Sequence, residues 1–466
     1  MFSGRFALVG VVGLSFLVVA GTATGGSLRF SMQLVGANIL FTGSQTSDLD
    51  VDPARDVAYL GSFVHMGVAV VDLTNRARPT VVDVLSTAYV DEGNTSDSAD
   101  VDVQGNLLAV ANQPWAGDRG FGGVTLYELT DPFHPVRRGQ FSTGGTHDVQ
   151  IDPGYPARPY VYAANMHSTF DVSIIDVSDL DRPALAATYR SPEPLGCANP
   201  RGCGEFGGPF NSAHDLTLLT LANGHTILYV AYWDSGIRLV DVTDAGRPRE
   251  IGAIDSDPGP EAVVDFAESL GSGTCCSHYV QPTPSGRYVL AEDEEGVGGA
   301  GVVHVYRADG CDGVRTCVLT WVSDWSPPGR PVQASAIHAH IRTGGAVEPL
   351  GIFQRFFTRD VHNLDVRETM FLAAAYSSGT YLVDIADPAT PRTLAFFHRA
   401  TNVGQACHGI NTQFAWGYTG TCLLQAFEAW GAKFGEPVAG SPRDFYVYVS
   451  DFWEGFLVLR TVTSAR

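Results

Sequence analysis

One pattern governs what this chain can fold into. An apolar strand ends in an acid, passes through a short polar turn and a proline, and resumes as a second apolar strand. It appears as VAVVDLTNRARPTVVDV, VTLYELTDPFHPVRRGQF, SIIDVSDLDRPALAATY, IRLVDVTDAGRPREIGAI and TYLVDIADPATPRTLAFF. A sixth copy, VVHVYRADGCDGVRTCVLTW, replaces the proline turn with one flanked by Cys311 and Cys317. Asp72, Asp176, Asp241 and Asp384 stand where a carboxylate can accept the turn N–H groups, a structural task that outweighs a catalytic one. Pro79, Pro135, Pro183, Pro248 and Pro391 open the second strand of each hairpin. A proline is tolerated there only at a sheet edge, so each second strand is predicted to be outermost.

Each hairpin is preceded by two more strands. YVYAAN, ILYVAYW, YVLAEDE, MFLAAAY and YVYVSD carry the β-branched and aromatic residues of buried strands. Shorter segments such as HDVQID, HDLTLL, HYVQPT and HNLDVR come before them. Repeated four-strand units predict an all-β, single seven-bladed β-propeller of four-stranded blades. The innermost strands align at Ser47, Ala99, His147, His214, His278, His362 and His408. The last unit, YVYVSDFWEGFLVLR, lacks an outer strand, whereas MQLVGAN (Met32–Asn38) is an outer strand with no blade before it. Joining the two removes two exposed edges, so the N-terminal strand is expected to complete the last blade.

These hairpins resemble the LVIVP-repeat family, over roughly Leu34 to Leu459. SHYVQPTPSGRYVLAEDE, VHNLDVRETMFLAAAYSSGTYLVDI and SDFWEGFLVL resemble its surface-propeller branch called choice-of-anchor B. The resemblance implies the propeller fold and a place at the cell surface; it implies little about activity.

The formal charge of −21 argues against nucleic acid, since nothing here would neutralise a run of phosphates. Lys433 is the only lysine, which reads as codon bias. Residues 1–24 read as a signal peptide: Arg5, then the apolar run Phe6 to Ala20, then small residues. An uncleaved anchor is the competing reading, although the run falls short of the ~20 residues of a membrane span. The propeller is assigned to 28–466, and the location to a secreted, periplasmic or cell-surface setting. Eight cysteines in such a setting imply disulfides. Cys311 with Cys317, Cys197 with Cys203 and Cys407 with Cys422 are close in sequence, which leaves Cys275 and Cys276 open.

Long loops are expected at 191–213, 255–277, 323–361 and 411–444, and the first three fall on one face of the ring. That face is the candidate site. His147, His214, His278, His362 and His408 each start an innermost strand and can reach the central funnel; Asp48 and Asp100 take equivalent places in the first two blades. Converging neutral imidazoles suit copper, zinc, iron or manganese. The alternative is a hydrogen-bond belt in which these residues only tie strands together. Secondary candidates are His338 and His340, alternating in the longest loop, and His65 and His167 in equivalent loops. Glu292 to Glu295 could hold calcium, but their spacing fits no calcium loop, so a solvated loop is preferred.

The funnel is similar in layout to that of the selenium-binding proteins, the methanethiol oxidases, although their cysteine motifs are absent. That analogy favours oxidoreduction over hydrolysis. No GxSxG, phosphate-cradling glycine loop or HExxH is present, which disfavours common hydrolase and nucleotide-binding mechanisms. The partner is expected to be a small molecule, or an extracellular protein or glycan, on the loop face. Trp115, Trp233 and Trp453 could offer stacking there, but wedging between blades is the simpler role. The competing class is a non-catalytic binding propeller with structural histidines.

Overall fold

The computed structural model describes residues 28–38, 40, 46–63, 67–86, 96–114, 120–166, 168–191, 212–233, 236–254, 277–293, 302–328, 361–376, 378–398, 429–452 and 454–465. Among these residues the chain is all β. Strand β1 (Leu28–Asn38) is followed by two antiparallel meanders. The first is β2 (Thr46–Asp52), β3 (Val57–Ser62), β4 (Val68–Asp72) and β5 (Thr80–Leu85); the second is β6 (Ser96–Gln104), β7 (Leu107–Pro114), β8 (Gly123–Glu128) and β9 (Val136–Ser142).

Separate four-stranded sheets come next. They are β10 (Asp148–Ile151) to β13 (Ala184–Tyr189), through β11 (Tyr160–Ala164) and β12 (Val172–Asp176), and β14 (Asp215–Thr220) to β17 (Arg249–Ile254), through β15 (Thr226–Ala231) and β16 (Ile237–Asp241). Then follow β18 (Ser277–Pro282), β19 (Tyr288–Asp293), β20 (Val303–Asp309) and β21 (Val318–Trp325). The sheet of β22 (Asn363–Val366), β23 (Met370–Ala375), β24 (Gly379–Asp384) and β25 (Arg392–Phe397) comes next. Last are β26 (Ala429–Val438), β27 (Ser441–Asp451) and β28 (Gly455–Ala465).

These strands make six sheets, five of four strands and one of eight. The eight-stranded sheet is the two N-terminal meanders joined only through the Ser62–Ser98 pair. The proline-led strands β5, β9, β13, β17 and β25 are all terminal in their sheets, as the missing N–H requires. The hairpin acids accept turn N–H groups as expected: Asp72 from Thr74 at 2.7 Å, Asp176 from Ser178 at 2.8 Å, Asp241 from Thr243 at 3.0 Å and Asp384 from Ala386 at 2.9 Å. In the sixth hairpin Cys311 and Cys317 form a disulfide; the other cysteines lie outside the described residues.

Closure follows the sequence. β1 pairs antiparallel with β28 and completes the sheet β1-β28-β27-β26, with Met32 opposite Thr461 and Asn38 opposite Phe456. One expectation needs correction: Ala429–Val438, assigned to the 411–444 loop, is the innermost strand of this closing sheet. Trp430 therefore stands where the sequence alignment placed His408, which itself lies outside the described residues. The seven strands β2, β6, β10, β14, β18, β22 and β26 neighbour one another in a closed cycle.

The innermost strands alternate. Leu49, Val101, Val149, Leu216, Val280, Leu364 and Ala432 enter the apolar clusters between sheets. The alternate positions are polar. An innermost strand has a bare edge toward the axis, and its buried N–H groups need acceptors. Carboxylates of the preceding strand supply them: Asp50 to Val103 N–H at 2.9 Å, Asp100 to Val149 at 3.0 Å, Asp102 to Ile151 at 2.7 Å, Asp148 to Leu216 at 3.2 Å and Asp365 to Phe434 at 2.6 Å.

Candidate functional site

Four of the predicted histidines meet at one rim of the ring. Each sits at an irregularity where its strand begins. His147, His214 and His362 donate backbone N–H bonds to Ala164, Ala231 and Ala374, residues that also face the next position of the strand, and His278 lies at the shift between Ser277 and Tyr279. Such a bulge turns the side chain out of the sheet toward the axis. The result is an arc of rings with centroid separations of 4.2 Å (His147–His214), 4.3 Å (His214–His278) and 4.4 Å (His278–His362). Trp430 continues it, 3.9 Å from His362. His65, His167, His338, His340 and His408 lie outside the described residues, as do Trp115 and Trp453.

Every Nδ1 in the arc meets an oxygen. His147 faces the Gln113 amide oxygen, His214 faces Asp215 Oδ2 at 2.7 Å, His278 faces Glu292 Oε1 at 2.6 Å, and His362 donates to the Trp430 carbonyl at 2.9 Å. A carboxylate, carbonyl or amide oxygen accepts, so in each neutral ring the proton sits on Nδ1 and Nε2 carries the lone pair; the His278 Nε2 faces Asp215 Oδ2 at 3.6 Å. An oxygen on the far nitrogen is how proteins orient metal-binding imidazoles. Burial, then the imidazoles of His214, His362 and His147, hold the His278 pKa well below its ordinary value; burial does the same for His362. Both rings are neutral at neutral pH, the form that ligates.

One group brings three donors together. His147, His214 and Asp215 each offer one atom, all within 4.8 Å of one another. Two donors bound to one zinc-like ion stand at most about 4.2 Å apart, given bonds of roughly 2.1 Å. Small side-chain rotations would suffice, so this cluster is capable of coordinating a metal ion. The structure adds Asp215, the residue after His214, to the donor set. Asp48 and Asp100 are not in that group. Asp100 caps Val149, while Asp48 accepts from Leu49 N–H at 2.7 Å and from the Asn363 side chain.

The walls of the mouth are aromatic and strained. Trp233 stacks on His214 at 4.5 Å and is buried, a wedge and not an exposed platform. Tyr376 lies 5.2 Å from His362. Both hold left-handed backbone, φ 34° and 35°, which costs about 1–3 kcal/mol for such residues and recurs at functional sites. Phe63 and Phe452 pack on Trp430 at 4.9 and 5.7 Å. Below the rim, burial, then the Asp148 charge, raises the Asp100 pKa well above the ordinary range, and burial, then Asp215, does the same for Asp148.

Comparison with solved structures finds the β-propeller domain of Cps50 (Swd1) from Myceliophteria thermophila, with a TM-score of 0.51 and 10% identity, covering 92% of this chain and 99% of that one. The fold is that of a β-propeller. A protein from Lactobacillus plantarum aligns with a TM-score of 0.48 and 10% identity, covering 94% and 100%. The periplasmic gluconolactonase PpgL of Pseudomonas aeruginosa aligns at 0.46 and 13%, covering 94% and 96%. The likeness to the Cps50 domain, at 10% identity, speaks to fold alone. No family model matches the chain, and no curated protein does. The propeller fold is thus supported, and membership of the LVIVP-repeat family is not. Among the described residues no helix is long and apolar enough to cross a membrane.

Proposed function

We propose that this chain is an exported seven-bladed β-propeller whose histidine-lined mouth binds a transition metal through His147, His214 and Asp215, with His278 and His362 beside it. The blade count rests on the closed cycle of seven innermost strands, with the eight-stranded sheet taken as two blades linked by a single pair. The hairpin motif supports an LVIVP-type repeat, and Arg5 with the apolar run after it supports export.

The observation that carries the metal reading is the convergence of ligand atoms of His147, His214 and Asp215 to within 4.8 Å of one another, on rings whose Nδ1 atoms are each oriented by an oxygen. Two imidazoles and a carboxylate suit zinc or non-haem iron, and copper or manganese are the other candidates. Three protein donors leave positions for water or a small molecule, where a bound metal would supply Lewis-acid or redox chemistry. The donor set favours neither, so the class is metal-dependent chemistry without a preference for oxidoreduction. In a Zn²⁺ titration with a competing chromophoric chelator, His214→Ala and Asp215→Asn should weaken binding at least tenfold. Wild-type protein without uptake, or variants that bind equally well, would refute the assignment.

A second reading has its own support. The same Nδ1 bonds, and ring contacts as short as 3.9 Å, could serve to lock the rim of a non-catalytic binding propeller. It predicts that His214→Ala lowers stability in metal-free buffer as much as in metal.

A further inference from the structure

In the acidic run 292–295, which the sequence places in a solvated loop, Glu292 is instead fully buried near the end of β19. Its Oε1 lies 2.6 Å from His278 Nδ1. The other nitrogen of that ring, Nε2, faces Asp215 Oδ2 at 3.6 Å, and the same Oδ2 meets His214 Nδ1 at 2.7 Å. A chain of alternating acid and imidazole thus runs through Glu292, His278, Asp215 and His214. It crosses from the sheet of β18 to β21 into the sheet of β14 to β17, and it ends on two members of the donor group.

His278 is buried between two carboxylates, and a neutral imidazole has one proton to give. The spacings show where it goes. At 2.6 Å the Glu292 contact is a short, charge-assisted hydrogen bond, whereas 3.6 Å to Asp215 is too long for one. The other tautomer would reverse this. With its proton on Nε2, His278 would close on Asp215 Oδ2, add a second N–H to that oxygen and weaken it as a metal ligand. His278 stands outside the group formed by His147, His214 and Asp215, so it competes for Asp215 without sharing the ion.

We propose that Glu292 is a positioning residue of the mouth: by accepting the His278 Nδ1 proton, it keeps His278 from donating to Asp215 and so preserves Asp215 as a metal ligand. The inference rests on the metal reading above and deepens it, adding a residue that sets affinity without touching the ion. Groups behind metal ligands are typically worth about 10- to 100-fold in affinity. Glu292 acts by restraining a competitor, which separates its role from that of a residue that only holds the fold.

The test joins Zn²⁺ affinity, by chelator competition, to the tautomer of His278, read from two-bond ¹H–¹⁵N correlations of metal-free protein labelled with ¹⁵N-histidine. Wild type should carry the His278 proton on Nδ1. Glu292→Gln keeps the size of the side chain, but its amide can donate to Nδ1. In that variant the proton should move to Nε2, and Zn²⁺ binding should weaken by about tenfold or more. His278→Phe removes the competitor, so Glu292→Gln combined with His278→Phe should bind Zn²⁺ as tightly as wild type. A wild-type His278 with its proton on Nε2, or on both nitrogens, overturns the proposal and requires no variant to fold. So does a Glu292→Gln protein with wild-type affinity, or a double variant that binds no better than Glu292→Gln alone. Wild type that takes up no Zn²⁺ while His278 keeps its proton on Nδ1 is the failure of the metal reading itself, and this inference falls with it.

Discussion

Asp100 and Val149 are joined across two successive innermost strands: the Asp100 carboxylate accepts the Val149 N–H at 3.0 Å. The same link recurs from Asp50 to Val103 and from Asp148 to Leu216. It explains why aspartate recurs beside the histidines without every aspartate being a ligand. Histidine at the rim and aspartate below it do separate work, one presenting nitrogen donors and the other closing the edge of a strand.

The link can be tested by substitution. Asp100→Ala strands a buried N–H, which should lower stability by about 1–3 kcal/mol. Asp100→Asn keeps an acceptor and removes a charge that burial and Asp148 oppose, so it should be near neutral or stabilising. Urea midpoints of the two variants give the comparison; equal losses would argue against the capping role.

Burial, then Asp50, push the Asp102 carboxyl up to about 8. A carboxyl with a raised folded pKa binds more protons folded than unfolded, so stability falls as pH rises through the window between the two values. For Asp102 that window runs from its ordinary value near 3.8 to about 8. Melting temperature should therefore decline across it, and Asp102→Asn should flatten the decline. Asp241 acts in the opposite sense: burial works against it, but Thr243 and Arg249 hold its pKa low. Its contribution is present above the ordinary carboxylate range and is lost as pH falls below that range.

Gly431→Ala is expected to destabilise by about 1–3 kcal/mol, the usual range for overpacking. Its Cβ would lie 2.2 Å from Asp48 Oδ1 and 3.0 Å from Leu49 Cδ2. The same change should loosen the Asn363–Asp48 bond, visible as faster amide exchange at Leu49.

Much of this architecture was legible because its causes are local. The proline after each hairpin turn marks an outer strand, and the orphan outer strand at Met32–Asn38 foretold the closure onto β28. Six strand starts, Ser47, Ala99, His147, His214, His278 and His362, also match the register of the ring. The seventh failed for a physical reason. WGAKFGEPV carries two glycines, a proline and a lysine and reads as loop, because its strand is selected by the seam it closes and not by β propensity. The role of Asp215 was hidden too, because only folding sets it between the rings of His214 and His278.

The most direct test of the account is anomalous diffraction from crystals of the mature protein grown or soaked with zinc, recorded on both sides of the zinc edge. The account predicts one strong peak in the mouth, about 2.0–2.2 Å from a ring nitrogen of His147, a ring nitrogen of His214 and a carboxylate oxygen of Asp215. A mouth without a peak, with the four rings still paired through Nδ1 to Gln113, Asp215, Glu292 and Trp430, would contradict it and leave the arc as a structural belt.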